Sequence, residues 1–206
     1  MLLSRKRKFI FIHIYKNAGT SITSALLPFA ANTWQRGANR ILRKFHVTLL
    51  DPRPYPAHST AADLIRYMGR AAFDSYFSFA IVRNPWDWQV SLYAYMLRTP
   101  CQPQHELVKS FGDFDTYIRW RCKDEVRFQK DFVYSESGEL LVDFVGRFES
   151  LERDFQYVCS RIGASPALPW ENASGLGPYR QYYTDETREL VRRAFEPDIS
   201  LFQYSF

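Results

Sequence analysis

Cysteine is scarce, with three residues in 206 (Cys101, Cys122 and Cys159) and no CxxC pair. That count and spacing exclude a disulfide scaffold and a structural zinc site, and they predict free thiols in a reducing compartment. No apolar run approaches the ~20 residues that span a bilayer. The opening MLLSRKRKFIFIHIY imitates a secretory leader, but its apolar stretch contains His13 and runs into Lys16 without a small-residue cleavage site. It reads as a basic lead-in to a buried strand. Internal repeats and low-complexity tracts are absent, and no histidine pair has the HExxH spacing of a zinc site. With 46% hydrophobic and 24% charged residues, the composition excludes disorder, a collagen-like repeat and a coiled coil.

The formal charge is +5, and 20 of the 27 basic residues are arginine. Guanidinium suits planar, bidentate recognition of phosphate, sulfate or carboxylate, so an anionic ligand is favoured, with a solvated basic surface as the plain alternative. An excess this small argues against nucleic acid as the partner. The length suits one domain over residues 1–206.

Phe9 to Tyr15 predicts a strand buried on both faces. Lys16-Asn17-Ala18-Gly19-Thr20-Ser21 follows, then a helix over Ile22 to Leu27 that Pro28 helps to end. Residues 30–57, with prolines at 52, 54 and 56, read mostly as loop. Thr60-Ala61-Ala62-Asp63 has the form of a capping box and predicts a helix from Ala61 to Met68, with His58 just ahead of it. Tyr76 to Val82 predicts a second buried strand ending at Arg83. Asn84-Pro85 then caps a helix over Pro85 to Leu97. Residues 99–105 read as loop, and Phe114 to Cys122 as a short helix. Phe132 to Tyr134 and Leu140 to Val145 predict a β-hairpin. A helix over Leu151 to Ile162 closes at Gly163, residues 164–178 read as loop, and Thr184 caps a helix over Asp185 to Phe195. The fold class is α/β: a single P-loop-like domain with a central parallel sheet flanked by helices.

Two segments carry chemistry. A turn at the carboxyl end of a strand, opening a helix, aims backbone N–H groups and a positive dipole end at one spot. In Lys16 to Ser21, Gly19 admits a close approach, Thr20 and Ser21 add hydroxyls, and Lys16 adds a point charge. This is an anion cradle or an ordinary strand-to-helix turn. It is not the nucleoside-triphosphatase pattern GxxxxGK[ST], because Lys16 precedes Gly19. In FAIVRNPWDWQVSLY, residues 79–93, Arg83 stands at the strand edge where open parallel sheets bind ligands, and Ser91 lies two turns into the next helix. The pair suits a second anionic group. Arg83 stands where a metal-binding Asp would favour hydrolysis, so the pattern predicts anion recognition with no metal site. A local salt bridge of Arg83 is the alternative.

FIHIYKNAGTS together with FAIVRNPWDWQVSLY resembles the PAPS-dependent sulfotransferases, in particular the branch of carbohydrate sulfotransferases. VGRFESL (145–151) and YRQYYTDETRELVRRAFEPDISLFQY (179–204) extend the resemblance in family order. It implies that the first motif binds the 5′-phosphosulfate of 3′-phosphoadenosine 5′-phosphosulfate (PAPS) through Lys16, Asn17, Ala18, Gly19, Thr20 and Ser21. The second implies a 3′-phosphate site at Arg83 and Ser91. Arg180 lies in an implied lid near that phosphate, with Tyr179, Tyr182 and Tyr183 toward adenine; a solvated basic loop is the alternative. Tyr15, Asn17 and Trp88 depart from the usual family pattern.

The same resemblance makes His58 the general base, and an imidazole at a loop-to-helix junction is accessible to a proton-donating hydroxyl. His46 is the second candidate. His13 reads as a hydrogen-bonded core residue, and His105 as facing acceptor or solvent. The expected function is sulfuryl transfer from PAPS to a hydroxyl acceptor, a carbohydrate on the resemblance, by in-line displacement. Lys16 would stabilise the leaving phosphate and His58 would take the acceptor proton. Residues 30–57 and 99–130 are the expected acceptor walls. The alternatives are a P-loop nucleotide kinase or hydrolase, and a catalytically silent PAPS- or nucleotide-binding protein. With no apolar run of membrane-spanning length, a cytoplasmic location is the expectation.

Overall fold

A computed structural model describes residues 1–30, 55–169 and 177–206. Most of the 30–57 loop, His46, and residues 170–176 lie outside the described residues. The contacts divide the chain into two compact units, Met1–Val82 with Asp131–Asn172, and Arg83–Lys130 with Ala173–Phe206.

In the first unit, strands β1 (Leu2–Ser4), β2 (Phe9–Ile12), β3 (Phe77–Val82) and β4 (Phe144–Arg147) form one sheet in chain order. The expectation of a wholly parallel sheet is corrected here, because the sheet is mixed. β2 pairs parallel with β3 (Phe11↔Phe79) and β3 with β4 (Ile81↔Gly146), but β1 runs antiparallel to β2 (Leu3↔Ile10). The reason is chain length. Parallel neighbours need a crossover of about a dozen residues or more, and only Arg5 to Lys8 separate β1 from β2. Lys8, at φ +52°, tightens that turn. The basic lead-in is thus the tip of a hairpin.

Helices α1 (Gly19–Ala30) and α7 (Leu151–Ile162) supply Ile22, Leu26, Phe155, Val158 and Ile162 to a core with Phe11, Phe79 and Ile81 of the sheet. Each such side chain contributes roughly 1.5–3 kcal/mol relative to exposure. α1 runs through Pro28 instead of stopping before it. A proline this close to the helix end forfeits one ladder bond, and the Ser4 hydroxyl donates to the Phe29 carbonyl at 2.8 Å, holding the last turn to β1. α7 closes on Gly163 at φ +61°, as its sequence predicts. Helix α2 (Ala61–Met68) has the predicted bounds and its Thr60–Asp63 capping box, and the short α3 (Arg70–Phe73) follows.

The predicted hairpin is reduced to a bridge between Tyr134 and Leu140, around a turn closed by Gly138 N–H on the Ser135 carbonyl. Its second arm is drawn into the sheet instead. The Asp143 carboxylate accepts from the Ser78 N–H (2.7 Å) and hydroxyl (2.8 Å), which delivers the following residues to β3 as β4.

The second unit is helical: α4 (Pro85–Arg98), α5 (His105–Ser110), α6 (Phe114–Asp124), α8 (Asp185–Ala194) and α9 (Glu196–Leu201). Asn84 caps α4 by accepting from the Trp86 N–H, and Thr184 caps α8. The Trp86 indole donates to the Arg188 carbonyl at 3.0 Å, fastening α4 to α8. α9, unforeseen in the sequence, carries Asp198. That fully buried carboxylate accepts from the Gln129 and Lys130 N–H groups at 2.8 and 2.9 Å. All three cysteines are free. No helix among the described residues is long and apolar enough to cross a membrane.

Candidate functional site

The β2 ladder stops at Ile12, short of the expected Tyr15, and the turn from Tyr15 to Ala18 leads into α1 at Gly19. Lys16 and Ala18 both adopt the left-handed region, at φ +64° and +57°. For residues other than glycine that conformation costs roughly 1–2 kcal/mol each, so the surroundings must impose it. Asn17, between them, is 1% exposed and donates through Nδ2 to the Ile81 carbonyl of β3 at 2.9 Å. The Ile22 N–H closes the first turn on the Ala18 carbonyl at 3.0 Å. The carboxamide of Asn17, read from sequence as a ligand donor, therefore anchors the loop. Thr20 is exposed and Ser21 buried.

The first turn of α1 contains no acidic residue. Residues 1–30 contain none at all, against five Lys and Arg. The leading N–H groups of a helix have no intrahelical acceptor, and the dipole adds partial positive charge there. What the turn offers is donors and a cation, a set that fits an anion.

His58 is exposed, in a turn where Ser59 N–H and hydroxyl both donate to the Pro56 carbonyl. Its Nδ1 lies 3.0 Å from the His13 carbonyl oxygen. A carbonyl only accepts, so Nδ1 carries the proton and Nε2 of the neutral ring is left as the basic nitrogen. The ring is bracketed by His13, with centroids 4.9 Å apart, and by Tyr15, edge-on at 5.8 Å. Tyr15 meets Phe132 edge-on at 6.0 Å. His13 also abuts the turn. A Cβ built on Gly19 would fall 1.8 Å from His13 Nε2. Lys16 to Ser21 and His58 are thus joined through His13 and Tyr15. His13, read as a core histidine, is only partly buried. His13 lies just past the end of β2, where its ring still stacks on that of Phe11.

In the second unit, Arg83 is 8% exposed, and its Nε donates to Asp87 at 2.8 Å. The local ion pair weighed from sequence is present. Gln129 clamps the Arg83 main chain, accepting from its N–H at 2.9 Å and donating to its carbonyl at 2.8 Å. No sequence signal marked Gln129. Ser91 is buried, one turn beyond Asp87 on the same face of α4. Arg180 donates through Nη2 to the Phe206 carbonyl at 2.9 Å and lies over the Phe206 and Tyr179 rings. It is engaged by the chain's own final residues. Tyr182 and Tyr183 meet Phe114 edge-on. The Tyr183 hydroxyl donates to the Trp86 carbonyl at 2.9 Å, and burial pushes its phenol well above the ordinary value. His105 does not face solvent. It is buried at the start of α5, with Nδ1 donating to the Met96 carbonyl at 2.8 Å. Among the described residues, no three His, Cys, Asp or Glu side chains gather as a metal site would need.

The mixed sheet flanked by helices, with a donor-rich turn between a buried strand and α1, defines an α/β protein. The chain belongs to the sulfotransferase family, whose model matches residues 1–205. Among solved structures it is similar to mouse sulfotransferase SULT7A1 complexed with PAP, at 12% identity and a TM-score of 0.50, over 99% of this chain and 91% of that one. Among curated proteins, an uncharacterized protein of Archaeoglobus fulgidus is 33% identical over 104 residues, 49% of this chain and 79% of its own length.

Proposed function

We propose that residues 1–206 form one P-loop-like sulfotransferase domain that moves a sulfuryl group from PAPS to a hydroxyl acceptor, with a carbohydrate as the acceptor. PAPS, when bound, supplies an activated sulfuryl group on a phosphate leaving group. Family membership supports the reaction class. The observation that carries the residue assignment is the Nδ1 bond of His58 to the His13 carbonyl, beside a turn made of donors. That bond leaves His58 Nε2 to accept the acceptor's hydroxyl proton. The ammonium of Lys16 and the N–H groups of Asn17 to Ser21 hold the phosphosulfate end, with the hydroxyls of Thr20 and Ser21 beside them. Charge developing on the leaving phosphate falls to Lys16. On the sequence resemblance, Arg83 and Ser91 take the 3′-phosphate, with Arg180 near it. Three free thiols favour a cytoplasmic location.

Calorimetry with PAP, the desulfated nucleotide, tests the donor site. Binding in the nanomolar-to-micromolar range is expected, with AMP clearly weaker because it lacks the 3′-phosphate. Equal affinities would remove the 3′-phosphate assignment. A screen with ³⁵S-labelled PAPS across glycans, phenols and lipid alcohols identifies the acceptor, and PAP binding without transfer to any of them would mark a silent binding protein.

A further inference from the structure

We propose that His13 is a positioning residue, which ties the His58 base to the packed core and to the Gly19 turn through its imidazole ring. This rests on the reading of His58 as the base. The rings of Phe77 and Phe79 stack at 6.1 Å and 19°, Phe79 and Phe11 at 5.0 Å and 24°, and Phe11 and His13 at 5.8 Å and 18°. His58 ends the series against His13 at 4.9 Å and 57°. Phe11 and Phe79 are among the best-buried side chains of the core, at 1% and 0% exposure. An exposed imidazole otherwise samples several rotamers, and a base must be held to within about 0.5 Å of its working geometry. The stack supplies that restraint from the interior.

The other edge of the His13 ring covers the Cα of Gly19, with Nε2 and Cδ2 1.8 and 1.9 Å from where a Cβ would stand. Gly19 is glycine for this contact. One ring therefore sets both the first residue of α1 and the side chain of His58. The Lys16–Ser21 backbone has independent supports, in the Asn17–Ile81 bond and the Ile22–Ala18 turn. Loss of the His13 ring should disturb the base more than the anion cradle. The main-chain carbonyl that accepts from His58 Nδ1 survives any substitution at His13, so substitution tests whether the ring is what holds His58 against it.

The test is a double-mutant cycle with His58, read with ³⁵S-labelled PAPS and the best acceptor from the screen. His13→Ala should lower kcat about 10-fold in the parent protein, and less than about 2-fold in a His58→Ala background, because a positioning residue acts only through its partner. PAP affinity should stay within about 3-fold. His13→Phe, which keeps a flat ring, should restore turnover, whereas His13→Leu, of similar bulk without a flat ring, should not. Equal losses in both backgrounds, or full activity in His13→Leu, would overturn the proposal. Side-chain ¹⁵N NMR of His58 reads the same restraint without catalysis. One Nδ1–H tautomer is expected in the parent chain, and a mixture with Nε2–H in His13→Leu. An unchanged tautomer there also overturns it. If the parent chain transfers no sulfate, the reading of the site has failed, and the NMR result still decides the role of His13.

Discussion

Gly19→Ala is the sharpest perturbation the structure offers, because one methyl group meets one ring. Gly19 lies outside the left-handed region, so alanine is tolerated by the backbone. Alanine is also the better helix former, by up to about 1 kcal/mol. The penalty comes from packing alone. The new Cβ would stand 1.8 Å from His13 Nε2 where ordinary contact begins at 3.4 Å, so ring or turn must yield by about 1.6 Å. Overpacking of this kind costs roughly 1–3 kcal/mol. Set against the gain in helix preference, a net loss of about 1–2 kcal/mol is expected, and roughly 2–8 °C in Tm at 2–4 °C per kcal/mol for a chain of this size. Thermal melts of Gly19→Ala, His13→Ala and the double variant measure it. With the His13 ring gone, Gly19→Ala should be neutral or slightly stabilising, so the two changes should couple by about 1–3 kcal/mol. If Gly19→Ala costs the same with and without the His13 ring, the contact does not carry the penalty and the account of this turn is wrong.

His58→Ala should lower kcat by about 10²–10⁴, the range for a lost general base, with PAP affinity nearly unchanged; His46→Ala should be milder, and a normal His58 variant would reassign the base. Lys16→Ala should weaken PAP binding and turnover together, since one ammonium serves both; retained activity would show the cradle to be misassigned. Asp154 offers a pH test. Burial raises its carboxyl pKa, but the Arg147 N–H, the Ser150 hydroxyl and Arg153 outweigh that and hold it below the ordinary aspartate value. A carboxyl lowered in the folded state stabilises fully above the unfolded value and loses that contribution as pH falls through the folded one. Asp154→Asn should therefore cost about 1–3 kcal/mol at pH 7, and the gap to the parent should narrow below pH ~3.8; a gap independent of pH would refute the ionic role.

Local signals were legible wherever a short stretch determines its own geometry. The Thr60–Asp63 capping box, the Asn84-Pro85 cap and the Gly163 closure each satisfy backbone groups within a few residues, and α2, α4 and α7 appear where those signals place them. The order of strand, turn and helix around Lys16 was legible for the same reason, as was the placing of Arg83 at the end of a strand and Ser91 within the helix that follows. Tertiary contacts decided what depended on partners distant in sequence. Residues 132–134 and 140–145 carry a hairpin pattern, yet the Ser78–Asp143 bonds and the β3 edge draw Phe144 and Val145 into a parallel strand. Nothing near Asn17 announces that its carboxamide will be spent on Ile81, 64 positions away. The pairing of His13 with His58 spans 45 positions. The sequence by itself could name both imidazoles, but only the folded sheet brings a carbonyl from one to the ring nitrogen of the other, because tautomer and orientation are set by what packs against a ring and not by its neighbours in the chain.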